Sequence, residues 1–286
     1  MRIILGTASF NKNYGIFKKK NEKINVSKLN KLYYFCKSHK ITYIDTSPNY
    51  KGVEEIIGKS QLRKMRIINK IEIDKNFNEK NFRQKINQSL YKLNCKKFYG
   101  LLIHNPQNIN KKNIKLVISF LKRLKNQNIV KKIGVSIYDD NDLNKFWKTW
   151  KPDIIQLPIN ILNRNLSKNN WIKNFRKYKI ELHARSIFLQ GILVSNLIPK
   201  KFKKFSKIFK EWNKITNNKS KTKILYSLSY VKDYVGVKNL VIGFQNLKQL
   251  SIIMFLINKK FDNFNFLKKI NSKSNILKDP RNWKYL

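Results

Sequence analysis

Four residues at the ends of short apolar runs carry the side chains that a proton-transfer site needs. Asp45 closes one run and Tyr50 lies in the segment after it, while Lys70 and His104 each end a later run. An unperturbed tyrosine has a pKa of about 10, and a nearby ammonium group lowers that pKa by favouring the phenolate. Asp45 would hold Lys70 beside Tyr50, and His104 would orient an oxygen atom and donate or relay a proton. The set suits reduction of a carbonyl group by hydride, in which negative charge develops on oxygen.

Each of these residues taken singly also has an ordinary structural interpretation. An Asp before Thr-Ser-Pro is commonly a turn or cap residue, and a Tyr in a loop commonly contributes packing. A single Lys is uninformative in a lysine-rich chain, and for His104 alone a half-buried structural role is the more frequent one. The four together at the ends of successive apolar runs favour catalysis.

The apolar runs alternate with longer lysine-rich segments in which apolar residues recur at three- and four-residue spacing. We predict strands at 2–6, 42–46, 66–70, 99–104, 132–136, 153–157, 181–186 and 239–243. Helices are predicted at 26–39, 82–93, 114–126, 142–150, 169–178, 222–231 and 247–256, with 200–221 as a loop or an extra helix. Strands that alternate with helices build a parallel sheet, and about eight such units predict an α/β fold, a single-domain (β/α)8 TIM barrel over residues 1–286.

An open doubly wound sheet is the main alternative to the barrel. Such a sheet favours a glycine-rich turn after its first strand, and the segment 6–9, Gly-Thr-Ala-Ser, is not one. In a barrel, chemistry occurs at the C-terminal ends of the strands, which is where the four candidate residues are predicted. The tail 271–286 is interpreted as coil that could lie over one mouth of the barrel.

The chain is strongly basic, with 62 Lys and Arg against 16 Asp and Glu and a net charge of +46. Such a charge ordinarily indicates a nucleic-acid partner. Here lysine is spread along the whole chain, with Asn and Ile as its companions, so we interpret the charge as compositional and expect no specific nucleic-acid partner. A basic, non-enzymatic barrel that binds nucleic acid or acidic polymers is the alternative hypothesis.

The cysteine, histidine and hydropathy patterns argue against a disulfide-rich, a metal-binding, a membrane-spanning or a secreted protein. Cys36 and Cys95 are too few for a disulfide framework, and no Cys or His pair has metal-ligand spacing, so free thiols and no metal site are expected. No run approaches the roughly 18 apolar residues of a membrane span. The N-terminus has no signal-peptide pattern, which favours a cytoplasmic protein. We expect a monomer or a weak homo-oligomer.

Several motifs resemble the aldo-keto reductase family over nearly the whole chain. The segments YIDTSPNY (43–50) and GVEEIIG (52–58) are similar to the family's block of aspartate, active-site tyrosine and following helix. The resemblance implies a catalytic tetrad of Asp45, Tyr50, Lys70 and His104, with Tyr50 as the acid-base residue. It also implies NADP(H) as cofactor, with NAD(H) not excluded, and a small-molecule aldehyde, ketone or sugar-derived carbonyl as substrate.

The same resemblance assigns a second group of residues to cofactor binding. Ser136 and Gln156 end strands similar to the family's fifth and sixth, and they would contact the carboxamide of the nicotinamide. The segment 241–250 is similar to the part that holds the phosphate end of the dinucleotide. The full set implied for cofactor binding is Gly6, Thr7, Asp45, Ser136, Gln156, Ser186, Gly243 and Gln249.

Some positions depart from the family pattern. Ile137 stands where many relatives have Asn, and Arg185 takes the place of an aromatic residue that stacks on the nicotinamide in well-known branches. The Lys-Ser pair and later Arg that hold the 2′-phosphate of NADP in those branches are replaced by Gly243, Phe244 and Gln249. The segments 5–10, 14–16 and 184–191 resemble bacterial members associated with surface-polysaccharide or sugar biosynthesis.

Overall fold

Eight parallel strands close into a barrel in which each strand pairs with the next and the last pairs with the first. The computed structural model describes residues 1–11, 14–17, 24–138, 141–164, 171–261, 263–270 and 274–286. The strands are β1 (Arg2–Gly6), β2 (Tyr43–Thr46), β3 (Arg66–Ile71), β4 (Phe98–Ile103), β5 (Val130–Ser136), β6 (Ile154–Pro158), β7 (Glu181–Arg185) and β8 (Asn239–Ile242). The predicted (β/α)8 barrel is confirmed.

Helices connect successive strands and cover the outside of the barrel. They are α1 (Val26–Ser38), α2 (Val53–Gly58), α3 (Glu79–Lys92), α4 (Ile114–Asn126), α5 (Asn141–Trp147), α6 (Trp171–Lys177), α7 (Ser206–Ile215), α8 (Ser220–Ser229), α9 (Leu247–Ile257) and α10 (Asn275–Lys278). Asparagine caps begin α1, α3 and α9, because the side chains of Asn25, Asn78 and Asn246 accept hydrogen bonds from backbone N–H groups of the first turn. The abundant Asn of this chain therefore also sets helix starts.

Alternate residues of each strand face the inside of the barrel, where they form layers. The middle layer is apolar and consists of Ile4, Ile68, Leu102, Ile154 and Val241 with neighbouring tyrosines. A larger apolar core lies between the strands and the helices. Because side chains alternate with a period of two, the next inward position along each strand lies at the C-terminal mouth. The fold therefore brings one residue from each strand end to a common region.

A charged cluster closes the opposite, N-terminal end of the barrel. Glu181 accepts hydrogen bonds from Arg2 at 3.0 Å, Lys132 at 2.8 Å and Tyr99 at 2.8 Å, and it lies 3.2 Å from His183. Burial alone would raise the pKa of Glu181, but these partners lower it overall. The cluster is far along the strands from the C-terminal mouth and contributes to stability rather than to chemistry.

Two segments differ from the sequence predictions, and in a third the structure decides between two predicted alternatives. Apolar periodicity did not single out α2, which is only six residues long. The segment 200–221 contains a 3₁₀ turn (Lys200–Phe205) and the whole of α7, so its interpretation as an extra helix is the better one. The tail was interpreted as coil, but its described part contains α10 and a 3₁₀ turn (Pro280–Tyr285). Packing of Trp283 against Phe202 orders that turn.

Within the described residues, none of the helices has the length and apolar character needed to cross a lipid bilayer. The same part of the chain contains no group of three His, Cys, Asp or Glu side chains placed to ligate a metal ion. Cys36 is a buried free thiol and Cys95 a partly buried one.

Candidate active site

A cavity of about 310 Å³ opens at the C-terminal mouth of the barrel. Residues from the ends of β1, β2, β3, β7 and β8 line it, together with the residue that follows β4 and Pro280 of the tail. Asp45, Tyr50, Lys70 and His104 all contribute to its surface. The structure thus brings the four candidate residues together from separate stretches of the chain.

Asp45 and Lys70 form a buried ion pair on neighbouring strands. The Lys70 Nζ atom donates to Asp45 Oδ1 and also to the backbone oxygen of Thr46 at 3.3 Å. The second carboxylate oxygen, Asp45 Oδ2, accepts from Gln156 Nε2 at 2.8 Å. Burial lowers the pKa of Lys70, and the charge of Asp45 and its hydrogen bond oppose that effect. The pKa of Lys70 remains lowered overall, because burial is the larger effect, and the carboxylate fixes the position of the ammonium group.

Tyr50 is half-buried beside this pair. The Lys70 Nζ atom lies 5.3 Å from the centroid of the Tyr50 ring. Burial and the charge of Asp45 raise the pKa of the Tyr50 phenol, while the charge of Arg185 acts in the opposite direction. The expectation of a lowered Tyr50 pKa is wrong, because burial and the negative charge of Asp45 outweigh the positive charge nearby. Tyr50 therefore retains its proton at neutral pH.

His104, which directly follows β4, faces the same cavity. Burial, together with the positive charges of Lys70 and Arg185, lowers the pKa of His104 to about 3. Its ring Nδ1 lies 3.3 Å from the hydroxyl of Ser47, which donates to the backbone oxygen of Lys70 at 2.8 Å. His104 is therefore a neutral imidazole that is held in place through Ser47.

A buried polar network outside the barrel supports the position of Lys70. The Asn69 side chain accepts from the backbone N–H of Lys70 at 2.8 Å and donates to Glu54 at 2.9 Å. The other carboxylate oxygen of Glu54 accepts from Ser89 at 3.3 Å. Glu54 lies in α2 and Ser89 in α3, so the network connects two helices to the strand that carries Lys70. Asn69 and Glu54 are positioning residues that the sequence did not single out.

The residues that the resemblance assigned to cofactor binding divide into two groups. Gly6, Ser186, Gly243 and Gln249 line the cavity, as does Asp45. Thr7 is fully buried and donates to the backbone oxygen of Asp45 at 2.9 Å, so it supports the site without lining the cavity.

Ser136 and Gln156 form the second group, on adjacent strands in direct register. Both are buried, and the Ser136 Oγ and Gln156 Oε1 atoms have no hydrogen-bond partner among the described residues. An unpaired buried polar atom is costly, so a missing partner is expected at each of them. A hydroxyl donor next to an amide oxygen acceptor matches a carboxamide, which offers one acceptor and two donors.

The sequence matches the family described as the aldo/keto reductase family over residues 2–273, which is nearly the whole chain. The chain belongs to the aldo/keto reductase family. As a member of that family, it is an NAD(P)-dependent oxidoreductase. A comparison with curated protein sequences found no significant match.

Solved structures of other proteins share the fold of this reductase at low sequence identity. A glycerol dehydrogenase from Gluconobacter oxydans is 20% identical, with a TM-score of 0.70 over 91% of this chain and 88% of that one. A thermostable aldo-keto reductase in complex with the inhibitor epalrestat is 20% identical, with a TM-score of 0.68 over 94% and 93% of the two chains. An aldo/keto reductase from Klebsiella pneumoniae in complex with NADP and acetate is 14% identical, with a TM-score of 0.67 over 93% and 89%.

Several groups that line the cavity of the reductase were not predicted as site residues. Tyr138, Arg185 and Pro280 come from three different segments and meet at its rim. Tyr14 also lines the cavity. A signal for Arg185 was present in the sequence, because it stands two residues after His183 on the inward face of β7.

Proposed function

We propose that this reductase transfers hydride from NADPH or NADH to an aldehyde, ketone or sugar-derived carbonyl, with Tyr50 as the proton donor. The main support is the buried Lys70–Asp45 ion pair, whose ammonium nitrogen lies 5.3 Å from the centroid of the Tyr50 ring. His104 faces the same cavity. A phenol, an ammonium, a carboxylate and an imidazole around one cavity can bind and protonate an oxygen that gains negative charge.

Proton donation in this proposal starts from a neutral Tyr50. Because its pKa lies above the ordinary value, the phenol is protonated at neutral pH and can donate to the substrate oxygen. The phenolate that remains faces the positive charge of Arg185, which lowers the pKa of Tyr50 in opposition to burial and Asp45. Asp45 acts through Lys70, because it holds the ammonium group and leaves the phenol as the group that exchanges protons.

The cofactor of this proposal supplies the hydride when it is bound. The unpaired Ser136 Oγ and Gln156 Oε1 atoms would hold its carboxamide, because each gains the partner that it lacks in the protein alone. Asp45 and the other cavity-lining candidates are proposed to contact the remainder of the dinucleotide; these candidates are Gly6, Ser186, Gly243 and Gln249. The relative from Klebsiella pneumoniae, whose structure contains NADP, supports this assignment.

The test is steady-state oxidation of NADPH and of NADH against a panel of aldehydes, ketones and sugar carbonyls. Replacing Tyr50 by Phe removes the proton donor and keeps the ring, so kcat should fall by about 10²- to 10⁴-fold on the best substrate. Cofactor binding, followed by quenching of tryptophan fluorescence, should change little in Tyr50→Phe.

A matched control removes a tyrosine hydroxyl far from the cavity. Tyr91 is 87% exposed on α3, so Tyr91→Phe should keep the wild-type rate. Full activity in Tyr50→Phe would exclude Tyr50 as the proton donor. A wild-type protein that binds neither nucleotide and reduces none of the carbonyls would refute the proposed function as a whole.

A further inference from the structure

Arg185 lies at the end of β7, partly buried, in the wall of the cavity. Its guanidinium donates to the backbone oxygen of Ile137 at 3.0 Å and to the hydroxyl of Ser186 at 3.3 Å. It also lies over the Tyr138 ring, 4.0 Å from the ring centroid. These contacts fix its orientation and use two of the five N–H groups that a guanidinium offers.

The positive charge of Arg185 has no carboxylate partner. Among the described residues no Asp or Glu forms an ion pair with it, and both oxygens of Asp45 are engaged by Lys70 and Gln156. Arg281 provides a contrast, because its guanidinium lies 3.5 Å from the centroid of the same Tyr138 ring and is paired with Asp279. Within the described part of the cavity wall, Arg185 is therefore a cation without a carboxylate partner.

Among the described residues that line the cavity, the ionisable groups leave a net positive charge. Lys70 and Asp45 cancel each other, and His104 is neutral because its pKa is lowered. The charge of Arg185 lowers the pKa values of Tyr50, Lys70 and His104, so its guanidinium lies within electrostatic range of these three side chains. A partly desolvated cation at such a position is unfavourable unless an anion joins it.

From these contacts we infer that Arg185 is a specificity residue that binds an anionic group, a carboxylate or a phosphate, of the carbonyl substrate. The inference rests on the proposed function, since it concerns the substrate of that same cavity. A guanidinium held by neutral acceptors and a ring presents its free N–H groups in the planar geometry that suits carboxylate and phosphate oxygens. Neutral carbonyl compounds would leave this charge unpaired and react less efficiently.

The experiment compares pairs of carbonyl substrates in which one member carries an anionic group and the other does not. One pair is 4-carboxybenzaldehyde and 4-formylbenzamide, and a second pair is glyceraldehyde 3-phosphate and glyceraldehyde, which separates carboxylate from phosphate recognition. In the wild type, kcat/KM should be about 10- to 100-fold higher for the anionic member of at least one pair. Arg185→Leu should bring that ratio close to one, and Arg185→Lys should restore part of it.

Arg281→Leu is the matched control, because it removes a guanidinium from the same tyrosine ring but one that already has a carboxylate partner. It should keep the wild-type ratio. The dissociation constants of NADPH and NADH are measured for every variant and should stay within about threefold in Arg185→Leu. A loss of nucleotide binding in Arg185→Leu with an unchanged substrate ratio would show that Arg185 serves the cofactor, which overturns the inference.

A binding measurement separates failure of the inference from failure of the proposed function. Titration calorimetry compares 4-(hydroxymethyl)benzoate with 4-(hydroxymethyl)benzamide, with NADP⁺ present and absent, so it needs no turnover. Tighter binding of the benzoate that is lost in Arg185→Leu would support the anion site even in a protein that reduces no carbonyl of the panel. Turnover of both members of each pair with equal kcat/KM would refute the inference and leave the reductase function standing.

Discussion

His104 shows how burial decides the state of a single residue in this site. A histidine in water titrates at a pKa of about 6.5, but here burial and two neighbouring cations lower the pKa to about 3. Ser47 donates its only proton to the backbone of Lys70, so its hydroxyl accepts from His104 Nδ1. The imidazole then carries its proton on Nδ1, and Nε2 is an acceptor. Tyr50 is left as the proton donor of the proposed reaction.

The lowered pKa of His104 predicts a loss of stability in acid. Unfolded His104 binds a proton near pH 6.5, whereas folded His104 binds one only near pH 3, so stability should fall as the pH drops through that window. Buried His183 contributes in the same direction. Melting temperatures measured from pH 8 to pH 4.5 should therefore decrease less steeply in His104→Gln than in the wild type.

Exposed His39 on the helical surface supplies the control for this measurement. His39→Gln should follow the wild-type curve, because it removes an imidazole without changing the barrel interior. Nitrogen-15 spectra should report a neutral ring with the proton on Nδ1 for His104 at pH 6. A His104 resonance that titrates with a midpoint between pH 6 and 7 would contradict the argument.

The sequence could predict the types of residue in the site better than their ionisation states. The apolar runs placed Asp45, Lys70 and His104 at or next to strand ends and Tyr50 in the segment after β2, and the structure has all four there. The pKa of Tyr50 was predicted in the wrong direction. That pKa depends on the depth of burial and on whether Lys70 is already paired, and neither quantity is visible in the order of residues.

At the scale of elements, one contact that tolerates little change is the close approach of α2 to α3. Gly58 ends α2, and a Cβ atom placed on it would lie only 2.0 Å from the backbone oxygen of Lys92 in α3. Alanine normally stabilises a helix relative to glycine by about 1 kcal/mol. Here the backbone oxygen cannot move away as a flexible side chain can, so steric overlap outweighs the gain in helix propensity.

We predict that Gly58→Ala lowers the free energy of unfolding by about 1–3 kcal/mol. The displaced α2 should also disturb Glu54, which holds Asn69 and through it the backbone of Lys70. Urea denaturation monitored by circular dichroism gives the change in stability, and the rate on a fixed substrate gives the change in the site.

Gly243→Ala is the control for the stability measurement. It adds the same methyl group at a position where no other atom lies within 4 Å, so its free energy of unfolding should stay within about 0.5 kcal/mol of the wild type. A Gly58→Ala variant as stable as Gly243→Ala would mean that the two helices can separate without penalty.

Elements with a clear apolar pattern were predictable from the sequence. Elements that are too short for a helical period, or that depend on contacts with distant residues, were not. All eight strands begin and end within two residues of their predicted bounds, because each is an apolar run between polar turns. The short helix α2 lacks enough turns for a periodic signal, and the ordered turn at Pro280–Tyr285 depends on contacts with distant residues such as Phe202. Arg185 was noted only as a departure from the family pattern, because its place in the cavity follows from the inward face of β7.

At the scale of the whole molecule, the few acidic residues include two that bind basic side chains inside the barrel, while most described lysines are exposed to solvent. Asp45 is buried and Glu181 is half-buried at opposite ends of the barrel, and each binds basic partners there. The remaining excess of +46 is spread over the chain. A protein with this charge should attract any polyanion, whatever its enzymatic role, and the attraction should weaken as salt screens it.

Binding to duplex DNA should therefore be sequence-blind and should fall by more than about 100-fold between 50 and 200 mM salt. Fluorescence anisotropy with two unrelated 20-base-pair duplexes measures both properties. Replacing Lys201, Lys203 and Lys204 by Gln should weaken binding by the same factor as replacing Lys111, Lys112 and Lys115, because each triple variant removes three exposed charges. If the first triple alone abolished binding, or if one duplex stayed bound at 200 mM salt, the charge would form a dedicated nucleic-acid surface. Equal losses of DNA affinity in the two triple variants would instead show that binding depends on the overall positive charge and not on a particular surface.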